Sequence, residues 1–269
     1  MPQNDIFLQP GTANQTVRSF RHLNRSRTYR EKQGLFAMEG SRLIFDALRS
    51  GVKLRAVMLT AHARDLLGER LAEEAPGVRT LMLSDALADE IADTESAQGI
   101  FAVAEMCPER PIAPVSGMHA VLLHCVQDPA NLGAVLRTAE ALGTDGVFLY
   151  QCVDLYNPKT LRSSMGALFR LPLLKISDAE AFLADCGAAG LPTCAAVVDR
   201  DALPLQQFDF SGGAAVLIGN EGNGLPRSIS DACTHRLTIP MAPDSNSLNA
   251  AMAAGLFLWE MRRGNLSHE

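Results

Sequence analysis

Apolar and polar positions alternate along this chain in two distinct registers. Between residues 40 and 106 the pattern predicts a helix at about 40–50 (GSRLIFDALRS), a strand at LRAVMLT, a helix ending at Glu74, a strand at VRTLML, a short helix near 85–92 and a strand at IFAVAEM. Alternation on this scale predicts an α/β domain with helices layered on a sheet. From residue 116 onward the strands HAVLLHCV, GVFLY, TCAAVV, AAVLIG and HRLTIPM are continuous apolar runs, each followed by a loop or helical stretch. Such runs predict a parallel sheet buried on both faces. Between the two regions the chain reads CPERPIAPV, with prolines at 108, 111 and 114. Pro at this density blocks both a helix and a central strand. The expected organisation is a disordered lead over 1–17, a basic arm and first domain over 18–107, a linker over 108–115 and a second domain over 116–269. No period of about 20–50 residues recurs, which excludes a solenoid or propeller.

The chain has 269 residues, enough for about two domains. No apolar run approaches the roughly 18 residues of a spanning helix, and the first seventeen residues carry no Lys or Arg, so neither a membrane span nor a targeting leader is expected. Cysteines stand at 107, 125, 152, 186, 194 and 233, never as CxxC and with no His at ligand spacing. That pattern predicts no zinc or other metal site, and reduced thiols in a cytoplasmic protein. The net charge of -6 argues at first against a nucleic-acid partner, but residues 18–55 are net +7 and residues 56–110 net -7. Residues 18–32 (RSFRHLNRSRTYREK) hold six positive charges and one negative. Cations interleaved with Phe20, His22 and Tyr29 suit phosphate contact and base stacking; a solvated, mobile arm is the alternative.

Three constellations in the second region carry candidate chemistry. Asp128-Pro129-Ala130-Asn131-Leu132-Gly133 opens a helix whose apolar stripe runs through 132, 135, 136, 139 and 142. Asn131 is expected at the helix start as its N-cap, and Arg137 points away from the stripe, free to grip a phosphate. The strand AAVLIG runs into Gly219-Asn220-Glu221-Gly222-Asn223-Gly224-Leu225-Pro226. Its GxxGxG spacing is not a dinucleotide fingerprint; a tight turn explains the glycines but not the carboxylate of Glu221. The strand LTIPM is followed by Ser247-Leu248-Asn249, with Ser247 the expected cap of a helix crowded with Ala250, Ala251, Ala253, Ala254 and Gly255. Close internal packing and a subunit interface both fit that small-residue face.

In combination the three motifs, in this order at the ends of three strands, resemble the SPOUT class of methyltransferases, and within it the TrmH/SpoU family of RNA ribose 2′-O-methyltransferases. Arg162-Ser163-Ser164-Met165-Gly166-Ala167 with Phe169-Arg170-Leu171-Pro172 also resembles that family. Phe36-Ala37-Met38-Glu39-Gly40, Arg42-Leu43 and Gln98-Gly99-Ile100 resemble a ribosomal-protein-like substrate-binding domain. The resemblance implies an α/β fold: an N-terminal ribosomal-protein-like α/β/α domain and a C-terminal parallel-sheet SPOUT domain with a deep trefoil knot. It implies S-adenosyl-L-methionine as cofactor, held at Gly219, Ile239 and Leu248, and transfer of its methyl group to a ribose 2′-hydroxyl of RNA, ribosomal RNA in particular. The functional polar residues it implies are Asn131, Arg137, Glu221, Ser247 and Asn249, and it implies a homodimer formed through the knotted region. The chain departs from the family pattern at Ala130 and at Pro243-Asp244-Ser245-Asn246, none of them a matched polar position. A transfer-RNA or base-directed SPOUT enzyme, an antibiotic-resistance methyltransferase and a non-catalytic RNA-binding module are the alternatives.

Overall fold

A computed structural model describes residues 11–242 and 247–263. The chain forms two compact units, one from the N-terminal region to Pro108 together with Tyr156–Phe169, the other from Glu109–Leu155 and the chain from Arg170 on.

The first unit opens with helices α1 (Gln15–Arg25) and α2 (Arg27–Gln33), where no element was expected. Asn14 caps α1, its Oδ1 accepting from Thr16 N at 2.8 Å. Ser26 ends α1 and caps α2, accepting from Tyr29 N at 3.1 Å. Gly34, at φ +63°, closes α2 in the left-handed region that favours glycine. Val17, Phe20 and Leu23 lie on one side of α1 and are fully buried. Two expectations are thereby corrected. The lead cannot be disordered through residue 17, because helix and core begin inside it. Phe20 is no stacking platform: its ring meets Phe101 edge-on at 5.5 Å; His22 is exposed, and Tyr29 is half-buried, packed against the core.

Strand β1 (Leu35–Glu39) follows, then α3 (Ser41–Arg49), β2 (Leu54–Leu59), α4 (Ala61–Glu74), β3 (Thr80–Met82), α5 (Asp85–Ile91) and β4 (Ile100–Glu105). The sheet order is β1-β4-β2-β3, with β4 antiparallel to both neighbours and β2 parallel to β3. Alternation sends Ala37, Met58, Phe101 and Val103 to the face covered by α1 and α5. Phe36 points the other way, against Tyr156 (4.7 Å between ring centroids) and Phe169 (6.0 Å). The segment 156–169, which carries helix α7 (Pro158–Ser164), thus belongs to this unit although chain on either side of it belongs to the other. Arg162 of α7 pairs with Asp93 at 2.6 Å.

The second unit holds β5 (His119–His124), α6 (Pro129–Ala141), β6 (Gly146–Tyr150), β7 (Leu173–Ile176), α8 (Ala179–Ala188), β8 (Thr193–Ala196), β9 (Leu203–Pro204), β10 (Ala214–Ile218), α9 (Arg227–Ala232), β11 (His235–Thr238) and α10 (Ala250–Arg262). Its seven strands run in the order β7-β6-β5-β10-β8-β11-β9, every pairing parallel. Strands β5 and β10 are buried along their whole length. From β5 the chain first builds outward through β6 and β7. It then lays β8, β9, β10 and β11 on the other side, with β10 inserted beside β5. The order reverses there, and at such a switch point the loops beyond the strands' carboxyl ends part to leave a crevice.

Candidate active site

The loops that leave β5 and β10 meet through one carboxylate. Glu221 Oε1 accepts from Asp128 N (3.0 Å) and Asn131 Nδ2 (3.1 Å), and its Oε2 from Gln127 N (3.1 Å) and Asn220 Nδ2 (3.3 Å). Asn131 in turn accepts, through Oδ1, from Asn249 Nδ2 at 3.0 Å. A chain of hydrogen bonds therefore ties the loops after β5 and β10 to the start of α10. Burial by itself would raise the Glu221 pKa. The N–H of Asp128, the residue's own N–H, the Asn131 amide and the N–H of Gln127 outweigh it and hold the carboxyl below the usual glutamate range. Glu221 is therefore a fixed anion and a poor proton acceptor.

Helix starts are arranged around this chain, though not as the sequence implied. Asp128, not Asn131, caps α6, accepting from Ala130 N at 2.6 Å with Pro129 in the first turn. That leaves the Asn131 amide free to span Glu221 and Asn249. Asn249, not Ser247, caps α10, its Oδ1 accepting from Ala251 N (2.9 Å) and Met252 N (3.2 Å). An asparagine is needed because both of its ends are used, oxygen to the helix and nitrogen to Asn131.

Three hollows open beside the chain. A cleft of 670 Å³ is lined by Gln127, Asp128, Asn131, Glu221, Ser247 and Asn249 among others. A cavity of 440 Å³ lies between the 218–225 loop, the end of β8 (196–199) and residues 247–253. A smaller hollow of 80 Å³ includes Ile239, Met241, Ser247 and Leu248 in its wall. Gly219, Ser247 and Leu248 line the 440 Å³ cavity, while Ile239 reaches only the smaller one. Glycine is required at 219 by the loop itself: a Cβ there would lie 2.2 Å from the backbone carbon of Gly224 and 2.3 Å from the nitrogen of Leu225. The loop closes through paired bonds between Asn220 and Gly224. Arg137 stands apart. It is exposed on α6, roughly 120° around the helix from Asn131 at 100° per residue, and lines none of the three hollows.

Residues that the motifs did not single out also build the site. Asn220 holds the β10 loop, donating to Cys125 O (2.9 Å) and accepting from Gly222 N (3.0 Å) and Asn223 N (3.1 Å). An Asn two residues before a Gly is a turn signal that could have identified it. Gln127 donates Nε2 to Gln151 O at 2.7 Å, and Asp199 pairs with Arg236 in the wall of the 440 Å³ cavity; neither has a local sequence signature. Among the described residues lining the hollows there is no His, Lys, Tyr or Cys. The nearby Cys152 thiol is held protonated: burial pushes it up to about 12, and its Sγ lies 3.1 Å from Leu123 O. No group of three or more His, Cys, Asp or Glu able to hold a metal ion occurs among the described residues. Residues 243–246, where the chain departs from the expected motif, lie outside the described residues.

Comparison with known proteins adds a lineage to this geometry. Residues 118–259 match the SpoU rRNA Methylase family, and residues 14–102 match an MRM3-like substrate binding domain. The chain belongs to the SpoU rRNA methylase family. A Bacillus subtilis relative named 23S rRNA (guanosine(2553)-2'-O)-methyltransferase RlmP is 30% identical over 253 residues, covering 93% of this chain and 96% of the relative. A Streptomyces viridochromogenes relative named 23S rRNA (uridine(2479)-2'-O)-methyltransferase is 31% identical, covering 90% and 87%. The crystal structure of an AdoMet-bound rRNA methyltransferase from Sinorhizobium meliloti superimposes with a TM-score of 0.85 at 30% identity, covering 97% of this chain and 98% of that one. As a SpoU member the chain carries its polar cluster within the matched catalytic stretch, and its α1 falls within the matched substrate-binding stretch.

Proposed function

We propose that this SpoU-family protein transfers the methyl group of S-adenosyl-L-methionine to a ribose 2′-hydroxyl of ribosomal RNA. The observation that carries the proposal is the Glu221–Asn131–Asn249 chain of hydrogen bonds set beside the 440 Å³ cavity at the switch point. The cavity's size lies within the usual range for a small ligand, roughly 300–1,000 Å³. Its walls combine loop backbone and apolar Val197, Leu248 and Ala253 with the carboxylates of Asp199 and Glu221. Such a lining fits a purine, whose faces need apolar contact, and a sulfonium cation, which a fixed anion stabilises. S-adenosyl-L-methionine supplies the activated methyl group when bound, with Gly219, Leu248 and Ile239 as its contacts.

The chain's own residues then have positioning roles. No strong base is found among the described residues lining the site, so alignment of the hydroxyl behind the methyl group carries much of the rate, and the hydroxyl proton passes to solvent. Asn131, Glu221, Ser247 and Asn249 fix the ribose and the loops. Arg137 stays charged, since a guanidinium is not deprotonated in proteins; although it lies outside the three hollows, bound RNA brings a phosphate next to the target ribose within its grip, and its charge stabilises the forming alkoxide. The relatives named for a guanosine and for a uridine share the 2′-O position, which favours a site that reads ribose rather than base.

Three further features belong to the same reading. The last strands and helix form a deep trefoil knot, and the chain works as a homodimer through that region. An RNA partner and the free thiols at 107, 125, 152, 186, 194 and 233 suit the reducing cytoplasm; no helix among the described residues is long and apolar enough to cross a membrane. In this reading the first unit, with its basic helices, binds the RNA, the second carries out the catalysis, and the proline-rich stretch 108–115 is the linker.

The test incubates the protein with labelled S-adenosyl-L-methionine and either ribosomal or transfer RNA, followed by an alkaline ladder. A 2′-O-methyl group blocks cleavage and leaves one gap in the ribosomal ladder. Incorporation without a gap indicates base methylation, and a gap confined to transfer RNA indicates the other substrate. Arg137→Lys is expected to lose on the order of 10²-fold in turnover, because one ammonium cannot replace a bidentate fork. Near-normal turnover by that variant would exclude the role given to Arg137.

A further inference from the structure

The six positive charges of residues 18–32 fall into two sets. Arg21 Nη2 lies 2.6 Å from Glu90 Oε1, Arg27 Nε 2.8 Å from Glu31 Oε1, and Arg30 is buried with its guanidinium donating to Leu23 O. These three hold the first unit together. Arg18, Arg25 and Lys32 are exposed and make no ion pair or hydrogen bond among the described residues.

On α1, Arg18, His22 and Arg25 follow the i, i+4, i+7 spacing of one helix face, opposite the buried Val17, Phe20 and Leu23. Arg18 and Arg25 are two turns apart, about 10 Å along the axis. The exposed ring of His22 meets that of Tyr29 at 5.2 Å between centroids. A merely solvated helix face mixes both signs and gains from pairs four residues apart. Here the two helices contain one acidic residue, Glu31, already engaged by Arg27. Acid is not scarce, since residues 56–108 of the same unit are net -7, yet these three cations are left out of it. Helix-end electrostatics can account for Arg25, in the last turn of α1, and for Lys32, in the last turn of α2, but not for Arg18 in the first turn of α1.

We infer that this face of α1 and α2 is an RNA-docking surface in which Arg18, Arg25 and Lys32 contact successive phosphates of an unpaired or looped RNA stretch and the His22–Tyr29 pair receives a base. The inference rests on the RNA-methyltransferase reading and assigns it a grip lying on the first unit, separate from the reacting residues of the second. Single-stranded RNA is engaged in this way, by cations along the backbone and aromatic faces under the bases.

The experiment uses the full chain, a ribosomal RNA fragment that the wild type methylates, and two variants, Arg18→Ala/Arg25→Ala/Lys32→Ala and His22→Ala. Alanine at these exposed helix positions leaves the buried face untouched. The triple variant should raise KM for RNA on the order of tenfold, with kcat within about twofold. Its slope of log affinity against log salt should fall by about 2, as expected for three phosphate contacts to a single strand. His22→Ala should weaken RNA binding without changing that slope. Affinity for S-adenosyl-L-methionine and the thermal midpoint should be unchanged in both. Unaltered RNA affinity and salt slope in the triple variant would overturn the inference, as would binding of the wild type to phosphatidylglycerol vesicles that the triple variant alone loses while retaining RNA. Failure of the wild type to methylate any RNA overturns the underlying reading as well, and is seen before a variant is made.

Discussion

Glu221 shows what a single side chain contributes when every hydrogen bond it makes is accepted. Its four partners on other residues are all N–H donors, two from backbone and two from asparagines. Replacement by glutamine keeps the shape but turns one oxygen into a fifth donor facing that set. Glu221→Gln is expected to lower kcat/KM by about tenfold or more, measured by methyl transfer to ribosomal RNA. The pH dependence distinguishes lost charge from lost shape. The folded carboxyl lies below its usual value, so its stabilising contribution is complete above the unfolded pKa of about 4.3. It is lost as pH falls through the lower, folded value. The wild-type melting temperature should therefore drop across that acid window by more than that of Glu221→Gln, and parallel curves would remove the charge from the account. That a carboxylate mattered was legible in the sequence, because a turn explains glycines but not Glu221. That Asn131 bridges Glu221 and Asn249 was not legible. The helix pattern marks where α6 begins only to within a residue or two, and Asp128 competes equally well as a cap.

At the level of elements, the central strands were readable and the edges were not. Strands β5, β6, β8 and β10 are buried apolar runs, and such runs announce themselves. The edge strands β7 and β9 are short and partly exposed, so they carry little pattern. Helices α1 and α2 were hidden for a different reason. Their three buried apolar positions, Val17, Phe20 and Leu23, are diluted by six cations, and the charge run reads as an arm before the spacing reads as a helix. Packing decides the matter. Phe20→Ala should destabilise the first unit by roughly 3–5 kcal/mol in denaturant unfolding, the usual cost of emptying a buried aromatic site. A loss below about 1 kcal/mol would mean that α1 is not part of the core.

At the scale of the whole molecule, the second unit leaves an apolar stripe in the open. Met252, Leu256 and Trp259 are 63%, 40% and 47% exposed, and at 100° per residue they fall on one side of α10. The opposite side, with Ala254, Phe257, Leu258 and Met261, is fully committed to the core. Scattered exposed leucines need no explanation, but a contiguous apolar stripe marks an interaction surface. A second copy of this chain can present the same stripe across a two-fold axis, burying both at once. Asn249 at the head of α10 also holds Asn131, so ordering this helix against a partner would order the site. Trp259→Glu is expected to shift the mass in solution from dimer to monomer, read by light scattering or sedimentation, and to weaken binding of S-adenosyl-L-methionine in parallel. Leu66→Glu is the control, because Leu66 is 68% exposed on α4 of the first unit, and should leave the mass unchanged. A dimer that survives Trp259→Glu would move the interface elsewhere on the chain, and a monomer with unaltered cofactor affinity would separate assembly from the site.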